Sequence, residues 1–171
     1  MQKRKQAGQP VVVELERPIF ALGTGMQTGD RTIVRDAPEL GKRFRALKET
    51  GVPRAVAPRL FVATTSGYDP ASGAYRYALG DAVSSFDGAS SEWERITIPA
   101  GTYAVFPVRP LLGFLWAPAI GRTYSLAYRT WLPGSGFLHA PNGIEHFERH
   151  DERAARRLRP MMEIWIPVQR A

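Results

Sequence analysis

The sequence predicts an α+β fold: duplicated strand-helix-strand-strand units, with antiparallel sheets and two main helices. Three observations predict it. The closing stretch, Met161 to Val168, has the period of two of a strand. Met162, Ile164, Ile166 and Val168 form one aliphatic side, and Met161, Glu163 and Trp165 share the other. Two segments carry an apolar stripe of helical period, Leu40, Phe44 and Leu47 in one and Ile120, Tyr124, Ala127 and Trp131 in the other. The order strand, helix, strand, strand can be read twice along the chain, without a repeat in the sequence itself.

Residues 1–9 read as a loose basic arm and 10–171 as a single domain, with halves at about 10–82 and 92–171. Val11 to Gly25 reads as a strand kinked at Pro18. Asp36 is a good N-cap, with Pro38 in the first turn and Glu39 as its capping-box partner. The helix then runs to about Thr50 and ends at Gly51-Val52-Pro53. Leu60 to Thr64 is a short strand. Tyr75, Tyr77 and Leu79 alternate in the next one. Gly80 to Ser91 is a polar connection between the halves.

In the second half, Trp93, Ile96 and Ile98 lead to a turn at Pro99-Ala100-Gly101, and Thr102 to Val108 is a strong strand. Residues 109–117 form an apolar bridge to the second helix, which stops at Pro133-Gly134. Ile144 to Glu148 reads as a strand with Glu145 and Phe147 on one side. Asp151 caps a helical turn over 152–158, and the closing strand follows Pro160.

At 171 residues the chain is long enough to bury a real core, and 44% hydrophobic with 23% charged residues is ordinary for a soluble globular protein. The absence of cysteine excludes disulfides, thiolate metal sites and thiol catalysis. The basic start leads into no apolar signal core. Leu111 to Ile120, the longest mostly apolar run, is too short to cross a bilayer. A soluble, cytoplasmic protein without a membrane partner is expected.

The net charge is +7, which raises the question of nucleic acid. The basic residues are scattered, and their densest run, Arg149 to Arg159, is mixed with Asp151 and Glu152. There is no zinc spacing and no aromatic-basic RNA signature. A solvated basic surface, with no direct DNA binding by this chain, is the reading. Ile144 to Glu148 reads as strand, and four residues along a strand span roughly 13 Å, so His146 and His150, four apart, are not expected to form a metal site. His139 falls in a loop.

Glu163 carries the sharper question. Burying an unpaired carboxylate costs several kcal/mol, or the group takes up a proton instead. So Glu163 either lies at an edge in water or is met by something. Its strand neighbour Trp165 favours the second. A carboxylate framed by rings suits a lipophilic cation, because ring faces attract positive charge and the acid supplies the counter-charge. Tyr75, Tyr77 or Tyr103 is expected to lend Glu163 a hydroxyl, whereas Tyr124 and Trp131, on the helix stripe, read as core.

Several segments in fixed order resemble the gyrase-inhibitor-like effector-binding domain, the small-molecule module also fused to AraC-type and MerR-type regulators. They are Ile98-Pro99-Ala100-Gly101-Thr102-Tyr103-Ala104-Val105-Phe106, then Tyr124 with Thr130-Trp131-Leu132-Pro133-Gly134-Ser135-Gly136-Phe137. Ile144-Glu145-His146-Phe147, Glu163-Ile164-Trp165-Ile166-Pro167-Val168 and, in the first half, Tyr75-Arg76-Tyr77 complete the set.

The resemblance implies two units about a pseudo-twofold with a central ligand groove between them. It places Glu163 at the groove floor and Glu145 at a second family acid. Phe147 and Phe137 stand where tyrosine is usual. The ligand-binding residues expected are Glu163, Trp165, Glu145, Phe147, Tyr75, Tyr77, Trp93 and Tyr103, with no cofactor. No DNA-binding segment precedes the domain, so a stand-alone effector-binding protein is expected, capturing hydrophobic, cationic or aromatic compounds. Two alternatives are a hydrolase of cyclopropane-type genotoxic compounds, with Glu145 and Glu163 as its acid/base pair, and a protein-interaction module of gyrase-inhibitor type.

Overall fold

The computed structural model describes residues 10–171; the basic arm expected over 1–9 lies outside the described residues. The first half holds β1 (Val11–Leu15), β2 (Ile19–Gly29), α1 (Ile33–Lys48), β3 (Phe61–Asp69) and β4 (Ala74–Val83). The second holds β5 (Glu94–Ile98), β6 (Gly101–Val108), α2 (Trp116–Ser125), β7 (Phe137–His139), β8 (His146–His150) and β9 (Met162–Arg170). The α+β class and the antiparallel strands are as the sequence predicts.

The strands form one sheet in the order β1-β6-β9-β8-β3-β4-β2-β5, with β7 beside β9. This order reads the same from both ends once β1 is exchanged with β5, β6 with β2, β9 with β4 and β8 with β3. Each half thus contributes a three-stranded unit, and the units meet where β3 pairs with β8. The leading strand of each half crosses over, β1 to β6 and β5 to β2. Leu15 faces Gly101 and Ile19 faces Ile98, so four steps on one side match three on the other. That bulge falls at Pro18 and Pro99, which have no N–H to give a ladder.

Both helices cover the same face of the sheet. Leu40 and Phe44 of α1 pack on Leu22, Ala63, Leu79 and Val83. Ala119 and Ala127 pack with Phe106, Met162, Ile164 and Ile166. The aliphatic side of the closing strand therefore lies under helix, as its alternation predicts. The opposite face has its own core of Val62, Ile96, Ile98, Tyr103, Val105 and Phe147. Gly23 and Gly80 face each other in the β2–β4 ladder, where a side chain on Gly23 would collide with the Leu79 carbonyl.

The boundaries differ from the sequence expectations at several points. The first helix starts at Ile33, so Asp36 is in its first turn rather than at the cap. There its carboxylate accepts from Arg35 Nε (2.9 Å) and Thr28 Oγ1 (2.8 Å). These partners, Arg35 foremost, hold its carboxyl below the usual carboxylate range. Beginning earlier gives an acid to the positive helix end and still presents the same apolar stripe. β4 runs through Val83, which is buried, so the polar connection begins later than Gly80. β8 is shifted two residues beyond the strand expected at Ile144. The turn after Asp151 is a short 3₁₀ turn, Glu152–Ala155, capped by Asp151 through the Arg153 N–H. The second helix passes from α2 into a π-helical stretch, Leu126–Trp131, before its last turn at Leu132–Gly134.

Candidate functional site

Because α1 rests on β2 and β4 while α2 rests on β6 and β9, the seam strands β3 and β8 lie in the trough between the helices. Strand alternation decides what they offer there. Glu148 faces Ile164 across β8–β9 and Ala63 across β8–β3, and both neighbours belong to the helix-covered face. His146 and His150 share that face with Glu148, as do Phe61, Tyr75 and Tyr77. Ala63 is the small residue beside the acid. It is buried against the α1 core.

The Glu148 side chain is 13% exposed. His150 Nε2 donates to its Oε2 at 3.1 Å, and Tyr124 Oη approaches its Oε1 at 3.5 Å. No Lys or Arg among the described residues lies within ion-pair distance of it. Rings surround it. Phe61 meets His150 edge-on at 5.1 Å, Trp116 lies 6.2 Å from the same ring, and Tyr124 is 4.7 Å from His146. Tyr128 Oη stands 3.3 Å from His146 Nδ1.

The electrostatics follow from burial. It raises the Tyr77 and Tyr124 hydroxyls well above their ordinary range, with the Glu148 charge the next contribution for each. Burial likewise raises Tyr75 to about 12, so these groups remain neutral. The same desolvation brings His146 down to about 3, with His139 adding to it. His146 is thus a neutral imidazole at physiological pH. The π-helical stretch sets the second helix over the seam: an extra residue in the turn lets Tyr128 reach His146 while Trp131 packs on Phe106 and Phe137.

Glu163 is placed on the other face. It is 16% exposed and accepts from Arg149 Nη1 (3.2 Å), Arg153 Nη2 (3.1 Å) and Trp165 Nε1 (3.0 Å). The tyrosine partner expected for it is therefore replaced by two guanidinium groups and an indole. Arg153 is itself clamped by Asp151, whose carboxyl it lowers to about 2. Tyr103, Phe147 and Trp165 do come together, at ring separations of 5.4–5.8 Å. They form packed interior on this face, where Tyr103 and Phe147 are fully buried. The Tyr103 hydroxyl donates to the Pro99 carbonyl and accepts from Asn142.

The remaining expected residues are dispersed. Trp93 lies in the core beneath α1. Glu145 precedes β8, accepts from the Tyr68 N–H (3.3 Å) and sits 3.8 Å from His139 Nε2. Arg149 is the residue that faces Glu163, and Glu145 is four residues from it, roughly 13 Å along the strand. The two acids do not form a pair. Of the expected set, Tyr75 and Tyr77 share the face of the trough, and the Glu145 charge is felt at its Tyr128 end, where it adds to burial in raising that hydroxyl. Glu148, His150, Tyr124, Tyr128 and Trp116 complete the trough, and the sequence reading missed them. The alternation of His146, Glu148 and His150 about the apolar Phe147 is the signal that could have found them.

The fold has close counterparts among solved structures. The integron cassette protein VCH_CASS2 of Vibrio cholerae superposes with a TM-score of 0.64 at 12% identity, over 94% of this chain and 96% of its own. The structure of SAV2435 bound to tetraphenylphosphonium gives 0.67 at 12% identity, over 94% of each chain. The C-terminal domain of EcmrR gives 0.65 at 14% identity, over 96% of this chain and 99% of its own. At such identities the likeness establishes the fold. No curated protein matches the chain in sequence. The family model for integron-associated effector-binding proteins matches residues 24–168, and the chain belongs to that family.

Proposed function

We propose that this protein captures hydrophobic cations, aromatic ones in particular, in the trough between α1 and α2, with Glu148 as their counter-charge. One observation carries the reading. In a chain with 23 Lys and Arg against 16 Asp and Glu, the acid on the seam takes its hydrogen bonds from His150 and Tyr124 and has no Lys or Arg among the described residues within ion-pair distance, whereas Glu163 holds two arginines. An under-compensated carboxylate in a poorly screened place gains most from a cationic guest. Tyr77, Tyr124, Phe61 and Trp116 offer ring faces, each worth about 0.5–2 kcal/mol to a desolvated cation. The solved counterpart that carries tetraphenylphosphonium, a cation clothed in four rings, supports the same chemistry.

Glu148 thus takes the part that the sequence suggested for Glu163. The hydrolase alternative required Glu145 and Glu163 to act as a pair, and their separation removes its geometric basis.

Calorimetric titration with tetraphenylphosphonium tests the proposal. Binding is expected, weakened roughly tenfold or more in Glu148→Gln, while a neutral triphenylphosphine oxide is held equally by both forms. Equal affinity of the two proteins for the cation would overturn it.

A further inference from the structure

At one end of the trough, beyond His150 and Trp116, two loops make a platform that the ligand reading does not use. Its apolar tips are Phe114, Leu158 and Leu111, exposed by 78%, 69% and 65%. Large apolar side chains this exposed and this close together mark a contact surface. The loops are fastened to one another: Leu112 and Leu158 form a β-bridge, and the Arg159 N–H donates to the Leu111 carbonyl at 3.1 Å. Arg159 holds a left-handed backbone, φ 49°, an uncommon conformation for a residue with a side chain. The protruding tips are therefore built in.

The rim is cationic. Arg109, Arg156, Arg157 and Arg159 are all exposed, and among the described residues none of the four is in an ion pair. The acids of this segment are accounted for by Asp151, which is committed to Arg153, leaving Glu152 as the exposed negative charge. Apolar tips within a ring of arginines match an anionic lipid surface, where the tips enter the interface and the guanidinium groups meet phosphates. A second copy of this chain is a poor occupant, because it would bring arginine rim against arginine rim.

We propose that this platform docks the protein peripherally on anionic membranes. No helix among the described residues is long and apolar enough to cross a membrane; surface docking needs none, and it revises the expectation of no membrane partner. Trp116, two residues from Phe114, is also a wall of the trough, so a docked molecule would present that end of the trough to the bilayer. The docking itself does not depend on what the trough binds.

Co-sedimentation of the full chain with vesicles tests it. Vesicles of roughly one-third phosphatidylglycerol in phosphatidylcholine are expected to pull the protein down, with pure phosphatidylcholine far weaker and added salt releasing it. Phe114→Ser with Leu158→Ser should lower the partition roughly tenfold or more, and Arg156→Gln with Arg157→Gln roughly fivefold for each arginine removed. Unchanged melting curves would show that both variants fold. Failure of the wild type to sediment, or equal sedimentation of the variants, overturns the proposal. So does binding to polyglutamate without binding to vesicles, which would assign the platform to an acidic protein partner.

Discussion

Glu148 and His150, two residues apart on β8, meet through a 3.1 Å hydrogen bond on the sheet face that both helices cover. The imidazole is the nearest donor to the carboxylate, so its charge decides how much negative potential the trough retains. A permanent cation in its place would answer Glu148 from within. His150→Arg is accordingly expected to weaken tetraphenylphosphonium binding roughly tenfold or more, with triphenylphosphine oxide much less affected. His150→Gln supplies an amide donor in the same place and should stay within about threefold of wild type. Titration calorimetry on the two variants checks the pair. If arginine were tolerated as well as glutamine, the carboxylate would not be the cation's partner.

Glu163 is expected to matter for folding rather than for ligand. Its carboxylate joins Arg149 and Arg153 to the Trp165 indole, and the site is partly screened by solvent. Glu163→Gln should cost about 1–2 kcal/mol of stability, measured by urea unfolding, and leave cation affinity within about twofold. A large loss of affinity without loss of stability would return Glu163 to the binding site.

The contrast between these acids shows what the sequence could and could not convey. Element order follows from local periodicity, and the stripes of Leu40-Phe44 and Met162-Ile164-Ile166 carry it. Which sheet face lies between the helices is a non-local fact. Glu163 drew attention because Trp165 shares its side, and that side turned out to be the one the helices leave uncovered. Glu148 looked unremarkable because the strand was placed two residues early, which left His150 outside it. Tyr124 read as core because its stripe is apolar, yet a ring at the edge of a stripe can pack on one side and line a trough on the other.

Acid should weaken the fold through His146. Burial holds its folded value near 3, against about 6.5 for a free histidine. Below about 6.5 the unfolded chain takes up a proton that the folded one refuses, so stability is complete above that pH and falls as pH drops toward 3. The slope has an upper limit of about 1.4 kcal/mol per pH unit, and the partial exposure of His146 keeps the loss below it. His146→Gln should flatten the melting temperature between about pH 7 and pH 5. An NMR titration showing the wild-type His146 ring protonating near pH 6.5 would contradict this.

The glycine pair in the β2–β4 ladder supplies the most severe test of the fold. Gly23 faces Gly80, and a methyl group on Gly23 would meet the Leu79 carbonyl, a backbone atom that cannot swing aside. Relief would require β2 and β4 to separate. Those strands carry Leu22, Leu79 and Val83 beneath α1, so the α1 core would open with them. Gly23→Ala should therefore cost more than about 3 kcal/mol. The comparison is Gly41→Ala, on α1, where the added methyl meets only the far end of Arg45 at 3.7 Å. That substitution should be neutral or stabilise by up to about 1 kcal/mol through helix propensity. Chemical denaturation of both variants reads the difference directly, and a Gly23→Ala protein as stable as Gly41→Ala would mean that the two strands do not approach as described.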